Sequence, residues 1–193
     1  RFPEFTQPDP SYHGLVYVET FGRAAYIVKA RAQLMRDLGA QAAPMNAFLL
    51  GIGIETLPLR MERHCSNAQT IAEWLANHPK VEWVRYPGLK GDKYHALARK
   101  YLPRGASGVI SFGVKGTRDD AMKLMDHLKL IKIVVHVADA RTCVLHPASM
   151  THRQLTDEQL IKAGISPTMV RLSVGIEHVD DLLADLEQAF AVI

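Results

Sequence analysis

The chain has 193 residues, of which 48% are hydrophobic and 22% charged, and its formal net charge is +3 at pH 7. These values are typical of a globular protein with a sizeable core, and the small charge argues against a nucleic-acid or membrane-surface partner. The two cysteines, Cys65 and Cys143, lack a CxxC spacing, which favours reduced thiols over a disulfide framework. No apolar run reaches the roughly 18 residues that a membrane span requires.

The first third of the chain divides into a loop and two helical zones. Residues 1–22 are rich in Pro and Gly and predict a loop on the surface of a larger structure. Residues 23–38 predict a helix, because apolar side chains recur at helical spacing and Gly39 is a typical stop. A second helical zone covers about 46–77. Pro58 should break or kink this zone, since proline has no amide hydrogen to donate to the preceding turn.

The second helical zone begins near Asn46, a candidate N-cap. Its segment Phe48–Ile54 is apolar all round, which indicates either burial on every side or an oligomer interface. The charged cluster Arg60–His64 that follows indicates a solvated face or salt bridges between subunits.

From residue 81 onward, strand and helix patterns alternate along the chain. The predicted strands are Val81–Tyr86, Gly108–Val114, Ile131–Val137, Thr142–Leu145 and Met169–Val174. The predicted helices are 93–101, 118–127, 157–163 and 179–191. Thr117 is a candidate N-cap, and Thr156 with Gln159 resembles a capping box. The order predicts an α/β or α+β layer in which helices cover one face of a small sheet.

Arg171 is the first candidate functional residue, because it lies within an apolar predicted strand. Burying an unpaired guanidinium is costly, so this side chain needs a carboxylate, which its planar fork can hold bidentately. Two interpretations remain open. Either Arg171 binds the carboxylate of a substrate, or it forms a structural salt bridge, for example to Glu177.

Two polar segments between predicted strands and helices are further candidates. The turn 136–141, which includes His136 and Val137, either presents backbone groups to a ligand or is an ordinary solvated turn. The segment from His146 to His152 is dense in polar side chains and is either a metal or catalytic cluster or a set of structural histidines. Its spacing fits no common zinc site, which favours the structural interpretation.

Four motifs, in order along the chain, carry a resemblance to a known family. They are Phe2–Thr6 with Pro8–Gly14, Asn46–Leu50 with Glu55–His64, His146–His152, and Arg171–Glu177. Together they resemble PLP-dependent enzymes of cysteine and methionine metabolism over essentially the whole chain. The Tyr12–Gly14 context and the segment Val81–Leu89 are similar to the O-acetylhomoserine sulfhydrylase branch of that family.

The resemblance implies a fold-type I PLP-transferase. Residues 1–45 would be the tail of its PLP-binding large domain, and residues 46–193 would form its C-terminal small α/β domain. The implied reaction converts O-acetylhomoserine and sulfide to homocysteine and acetate in methionine biosynthesis, within a cytoplasmic homotetramer. The resemblance also implies that Arg171 binds the carboxylate of this small-molecule substrate and that His136 and Val137 line the same pocket.

The chain also departs from the family pattern. Family members usually have Asn or Ser where this chain has His136, and Gly where it has Ala138. The Schiff-base lysine of the family lies in a Ser-x-Thr-Lys phrase, which none of the lysines here matches. We therefore expect that lysine in a missing amino-terminal half, and we expect this chain alone to be inactive.

Two alternatives to the sulfhydrylase remain open from the sequence. One is a related enzyme that resembles a cystathionine γ-synthase or a methionine γ-lyase. The other is a non-catalytic module, either a fragment that acts only in oligomerisation or a degraded pseudoenzyme.

Overall fold

The computed structural model describes all 193 residues and divides the chain into two compact units, Arg1–Ile54 and Glu55–Ile193. The helices that begin in the first unit are α1 (Pro3–Thr6), α2 (Tyr17–Phe21), α3 (Ala25–Lys29), α4 (Arg36–Leu38) and α5 (Pro44–Glu55). Pro10–Tyr12 and Gly22–Ala24 form 3₁₀ turns, and Ala30–Met35 forms a π-helix between α3 and α4. The assignment of residues 1–45 to the tail of a larger domain stays a prediction.

The amino-terminal segment is more ordered than the loop predicted from its composition. Asp9 caps the turn Pro10–Tyr12 by accepting a hydrogen bond from the amide of Ser11, 2.9 Å away. The same carboxylate forms an ion pair with Lys29 and accepts from the side-chain amide of Gln33 at 3.1 Å. Because Lys29 and Gln33 lie about one turn apart, these contacts attach the segment to the helical stretch that follows it.

Helix α5 begins two residues before the predicted start. Asn46 is therefore not the N-cap, and Pro44 occupies the first helical position, where its missing amide hydrogen costs nothing. All side chains of α5 are exposed within this chain. The predicted break is confirmed, because α5 ends at Glu55 and the next helix, α6 (Leu57–Asn77), has Pro58 in its first turn.

The second unit contains a five-stranded sheet and five helices, α6 among them. The strands are β1 (Val81–Arg85), β2 (Val109–Val114), β3 (Lys132–Ile133), β4 (Cys143–Leu145) and β5 (Met169–Ser173). The remaining helices are α7 (His95–Tyr101), α8 (Arg118–Asp126), α9 (Asp157–Lys162) and α10 (Val179–Phe190). The strand order is β1-β2-β5-β4-β3, in which only the β3–β4 pair is parallel.

The core of the second unit lies between one face of this sheet and helices α6, α8 and α10. Alternate residues of a strand point to opposite faces, and the alternate residues Ile110 and Phe112 of β2 and Val170 and Leu172 of β5 are buried in this core. The predicted α/β layer is confirmed. The opposite face of the central strands includes Ser111, Arg171 and Ser173.

The helix starts of the second unit follow the predicted signals. Thr117 caps α8 in a capping box with Asp120, and Thr156 caps α9 in a capping box with Gln159. The third strand is much shorter than the predicted Ile131–Val137. The chain leaves the strand pattern after Ile133, and the carbonyl of Val135 accepts a hydrogen bond from a side chain.

No helix in the structure is both long enough and apolar enough to cross a lipid bilayer.

Candidate functional site

Arg171 lies at the middle of the central strand β5, on the sheet face that points away from the helix-packed core. Its neighbours across the sheet are Ser111 on β2 and Leu145 on β4. The side chain is half-buried. Strand pairing therefore fixes the position of the Arg171 guanidinium, which is only partly solvated.

The guanidinium of Arg171 has no carboxylate partner in this chain. Its Nη2 donates to the carbonyl of Val135 at 2.9 Å, while Nε is buried without any hydrogen-bond partner. Glu177, the partner that a structural salt bridge would need, is engaged elsewhere. Its two carboxylate oxygens accept from the amide and the hydroxyl of Thr142, at 2.6 and 2.8 Å. The salt-bridge interpretation of Arg171 is therefore wrong for Glu177.

An unpaired buried donor has an energetic consequence. Leaving such a group unsatisfied costs about 1–3 kcal/mol, and more for a charged group. A ligand carboxylate would satisfy the Nε of Arg171 with a charge-assisted hydrogen bond, which is shorter and stronger than a neutral one. The guanidinium thus retains a hydrogen-bond donor that the chain itself does not use.

A turn after β3 forms one wall beside Arg171. Within it, Ala138 has a left-handed backbone with φ of 65°, and its amide donates to the Oγ of Ser173 at 3.1 Å. The Nδ1 of His136 lies 3.5 Å from Oδ2 of Asp139. Hydrogen bonds from Arg141, from its side chain and then its backbone, lower the pKa of Asp139 to about 2. In this turn, the Asp139 carboxylate therefore contacts both His136 and Arg141.

The structure brings the segment that contains His136 and Val137 next to Arg171. The Val135 carbonyl touches the Arg171 guanidinium, so His136 and Val137 follow the contact point by one and two residues. Both side chains are exposed. Their role in substrate binding stays a prediction. The Val135 contact itself was not foreseen, because a carbonyl acceptor has no signature in the sequence.

His146 is a buried histidine whose two ring nitrogens are both used. Its Nε2 lies 2.8 Å from the carbonyl of Pro167, which can only accept, so Nε2 carries the hydrogen. Its Nδ1 lies 2.8 Å from the Oγ of Ser149, which then donates. Burial lowers the pKa of His146. These contacts agree with the structural interpretation of the 146–152 segment.

Comparison with known proteins places this chain among relatives of one family. A family model described as Cys/Met metabolism PLP-dependent enzyme matches residues 13–191. The chain is 52% identical over 192 residues to a homocysteine synthase of Schizosaccharomyces pombe, covering 100% of this chain and 45% of that protein. It is 50% identical over 198 residues to an O-acetyl-L-homoserine sulfhydrylase of Leptospira meyeri, covering 98% and 45%. The chain thus spans about half the length of the curated relatives it matches.

A solved structure extends the likeness to the fold. It is described as an O-acetylhomoserine (thiol)-lyase of Campylobacter jejuni that contains N'-pyridoxyl-lysine-5'-monophosphate. It superimposes with a TM-score of 0.86 at 42% sequence identity, over 98% of this chain and 45% of that one.

Proposed function

Since the chain belongs to the Cys/Met metabolism PLP-dependent enzyme family, we propose that it is the carboxy-terminal portion of a sulfhydrylase. The proposed enzyme converts O-acetylhomoserine and sulfide to homocysteine and acetate. The names of the relatives support this substrate pair. The observation that carries the proposal is the guanidinium of Arg171, whose buried Nε has no partner in the chain.

The proposed role of Arg171 is to bind and orient the amino-acid substrate. The carboxylate of O-acetylhomoserine pairs with the guanidinium, which supplies the missing partner of Nε. The contact from Nη2 to the Val135 carbonyl fixes the plane of the guanidinium. Because the carboxylate is held in a fixed place, the carbon chain of the substrate extends from a fixed point, which lowers the entropic cost of reaching the reactive geometry.

Enzymes of this family depend on PLP, which supplies an electron sink for the bond-breaking steps. The residues of this chain fit the substrate carboxylate rather than the cofactor aldehyde. Lys29 is paired with Asp9, and the Nζ of Lys80 donates to the carbonyls of Phe190 and Ile193. None of the ten lysines lies in the Ser-x-Thr-Lys phrase that the family resemblance implies for the Schiff base. We therefore assign no residue here to PLP, and propose that the Schiff-base lysine lies outside residues 1–193.

Substitution of Arg171 in the full-length enzyme tests the proposal. Arg171→Ala should lower kcat/KM for O-acetyl-L-homoserine by roughly tenfold or more, because a charge-assisted contact contributes about 1.5–3 kcal/mol. Arg171→Lys should recover little, since an ammonium cannot replace a planar fork. Arg99→Ala, on the exposed surface of α7, is the matched control and should behave as wild type. A change of less than twofold for Arg171→Ala would contradict the assignment.

Substrate choice separates the proposal from its alternatives. Acetate release from O-acetyl-L-homoserine that depends on sulfide supports the sulfhydrylase. Release that depends on L-cysteine instead would indicate a cystathionine synthase, and elimination without any added thiol would indicate a lyase. A full-length protein that binds no PLP and releases no acetate would indicate a non-catalytic oligomerisation module.

His136 is proposed to lie at the substrate pocket. The support is its place directly after Val135 and its 3.5 Å contact with Asp139. In the full-length enzyme, His136→Asn, which replaces the imidazole with a shorter side chain, should change KM for O-acetyl-L-homoserine. An unchanged KM would remove His136 from the pocket.

We also propose that the enzyme is a homotetramer located in the cytoplasm. Helix α5, whose apolar side chains are all exposed, supports an assembly, because large exposed apolar patches usually mark interaction surfaces. Sedimentation equilibrium of the full-length enzyme measures the oligomeric state, and cell fractionation measures the location.

A further inference from the structure

The turn beside Arg171 is joined to the segment that follows β5 by hydrogen bonds centred on two side chains. We propose that Thr142 and Glu177 are positioning residues, which hold the turn that carries Val135 and His136 in register with Arg171. The inference rests on the proposed function, because the feature being positioned is the substrate-carboxylate site.

Thr142 and Glu177 form a closed hydrogen-bonded group. Thr142 is fully buried. Its amide donates to Oε1 of Glu177 at 2.6 Å, and its hydroxyl donates to Oε2 at 2.8 Å. The Oγ1 of Thr142 in turn accepts from the amide of Gly175 at 2.8 Å. The hydroxyl therefore acts as donor and acceptor at once, and no water is needed to complete the group.

Further bonds tie the same two segments together. The amide of Ala138 donates to Oγ of Ser173, and the amide of Ile176 donates to the carbonyl of Ala140 at 2.9 Å. Gly175 has no room for a side chain, because a Cβ there would collide with the carboxylate of Glu177 and with backbone atoms of the turn. These contacts hold the turn against the end of β5.

Helix α6 also holds the segment that follows β5, through two side chains. The side-chain amide of Asn67 donates to the carbonyls of Gly175 and Glu177, at 3.1 and 2.9 Å. The Nδ1 of His64 lies 2.6 Å from the carbonyl of Val174. Both side chains are buried. Since α6 is packed into the core, these two side chains hold the segment 174–177 in place. Thr142 then connects that segment to the turn through its hydrogen bonds.

The position of the turn matters because the Arg171 guanidinium hydrogen-bonds to it. Its hydrogen bond goes to Val135, which precedes the anchored part of the turn by only a few residues. Ala138 is held in a left-handed conformation that costs free energy for a residue with a side chain. Without the group of Thr142 and Glu177, the turn is expected to relax, and the position of the guanidinium is expected to become less defined.

The decisive variant in the full-length enzyme is Thr142→Val, which keeps the shape but removes the hydroxyl. It leaves the amide of Gly175 without an acceptor and one oxygen of Glu177 without a donor. We expect KM for O-acetyl-L-homoserine to rise roughly tenfold or more, since small misplacements of a binding group have large kinetic effects. KM for sulfide should stay within twofold of wild type. Thr142→Ser restores the hydroxyl and should restore KM.

Glu177→Gln is a second variant in case Thr142→Val folds poorly. Its amide oxygen can still accept from the amide of Thr142, but its NH₂ cannot accept from the hydroxyl. A rise in KM for O-acetyl-L-homoserine smaller than that of Thr142→Val is expected. Thr70→Val is the matched control, because Thr70 is exposed on α6 and its hydroxyl bonds only to the carbonyl of Ser66. It should leave both KM values unchanged.

Amide hydrogen exchange tests the inference independently of activity. In Thr142→Val, the amides of Ala138 and Ile176 should exchange faster than in wild type, while the β2 amides and the Thr70→Val control stay unchanged. If wild type releases no acetate, the proposed function fails, and the exchange data still decide the role of Thr142 and Glu177. Unchanged amide exchange in Thr142→Val would overturn the positioning role. A lower kcat with both KM values unaltered would overturn it as well.

Discussion

The two units of the chain differ in how they bury apolar side chains. Glu55–Ile193 closes a core between its sheet and helices, whereas in Arg1–Ile54 only Tyr17 and Ala25 are buried among the apolar residues. The exposed large apolar side chains of the first unit are Phe2, Val18, Phe21, Tyr26, Ile27, Leu34, Leu38, Met45, Phe48, Leu49, Leu50, Ile52 and Ile54.

This difference shows that one chain can contain both a domain with an apolar core and a segment whose order depends on hydrogen bonds and an ion pair. The first unit is organised by the contacts of Asp9 with Ser11, Lys29 and Gln33 rather than by a core. Because only two of its apolar residues are buried, we expect the first unit to bury too little apolar surface to offset its conformational entropy. We expect its apolar surface to be covered by other parts of the full-length enzyme.

The largest expected effect concerns the chain in isolation. Residues 1–193, purified, mixed with PLP and dialysed, should be colourless and should release no acetate from O-acetyl-L-homoserine with sulfide. The reason is that none of the lysines lies in the Ser-x-Thr-Lys phrase implied by the family resemblance, so we expect PLP to find no covalent attachment in this chain. The measurement is the visible absorbance spectrum together with the acetate-release assay.

The full-length enzyme is the control for this experiment and should retain stoichiometric cofactor. An absorbance band that survives dialysis of residues 1–193, accompanied by turnover, would mean that one of the ten lysines holds PLP. It would also mean that the first unit needs no residues outside this chain. The two units would then no longer differ in that respect.

Core truncation should separate the units by free energy of unfolding. Leu75→Ala, at a fully buried position of α6, should cost about 2–5 kcal/mol in residues 1–193. Leu50→Ala, at a position of α5 that is 63% exposed, should change it by less than about 0.5 kcal/mol. Urea denaturation followed by circular dichroism measures both. A cost above 1 kcal/mol for Leu50→Ala would show that α5 is already covered within this chain.

Sequence patterns predicted the second unit well because its signals are local. The sequence predicts the N-cap at Thr117, the capping box at Thr156 and strands at the positions of β2 and β5, and the structure has all of them. Arg171 was identified from a charge within an apolar strand. The absence of its salt bridge was not readable, because it depends on Glu177 pairing with Thr142 across a sequence distance of 35 residues.

The first unit was predicted less well for the same physical reason. Its composition indicated a loop, yet Asp9 meets side chains 20 and 24 residues away and so orders the segment. Composition registers Pro and Gly but not such long-range pairs. The short β3 shows the same limit, since its apolar run continues past Ile133 while the chain turns so that Val135 meets Arg171.

A smaller effect is expected at left-handed backbone positions, where the units differ in residue choice. The first unit uses Gly39, with φ of 66°, to end α4, whereas the turn in the second unit uses Ala138 with φ of 65°. Ala138→Gly should stabilise residues 1–193 by about 1 kcal/mol, because a Cβ in this conformation is strained. Gly39→Ala should destabilise α4 by a similar amount, at most about 1–2 kcal/mol. Thermal unfolding measures both, and no gain for Ala138→Gly would show that the turn has relaxed its strain elsewhere.

The smallest expected effect is an acid-induced loosening confined to the first unit. The hydrogen bond from Lys29, followed by that from Ser11, holds the pKa of Asp9 well below its usual range. A carboxyl with a lowered folded-state pKa adds stability above its unfolded value, about 3.9, and loses it as the pH falls toward the folded value. Amides of Ser11 and Gly14, which hydrogen-bond to Asp9, should therefore exchange faster below about pH 4.

Asp9→Asn should show the faster exchange already at neutral pH and little further change on acidification, because its amide carries no charge to lose. Both tryptophans, Trp74 and Trp83, lie in the second unit, so their fluorescence reports on that unit alone. It should stay constant over the pH range in which the Ser11 amide loosens. If the tryptophan signal and the exchange of Ser11 change together, the two units unfold as one cooperative body, and the polar ties of Asp9 are not an independent source of order.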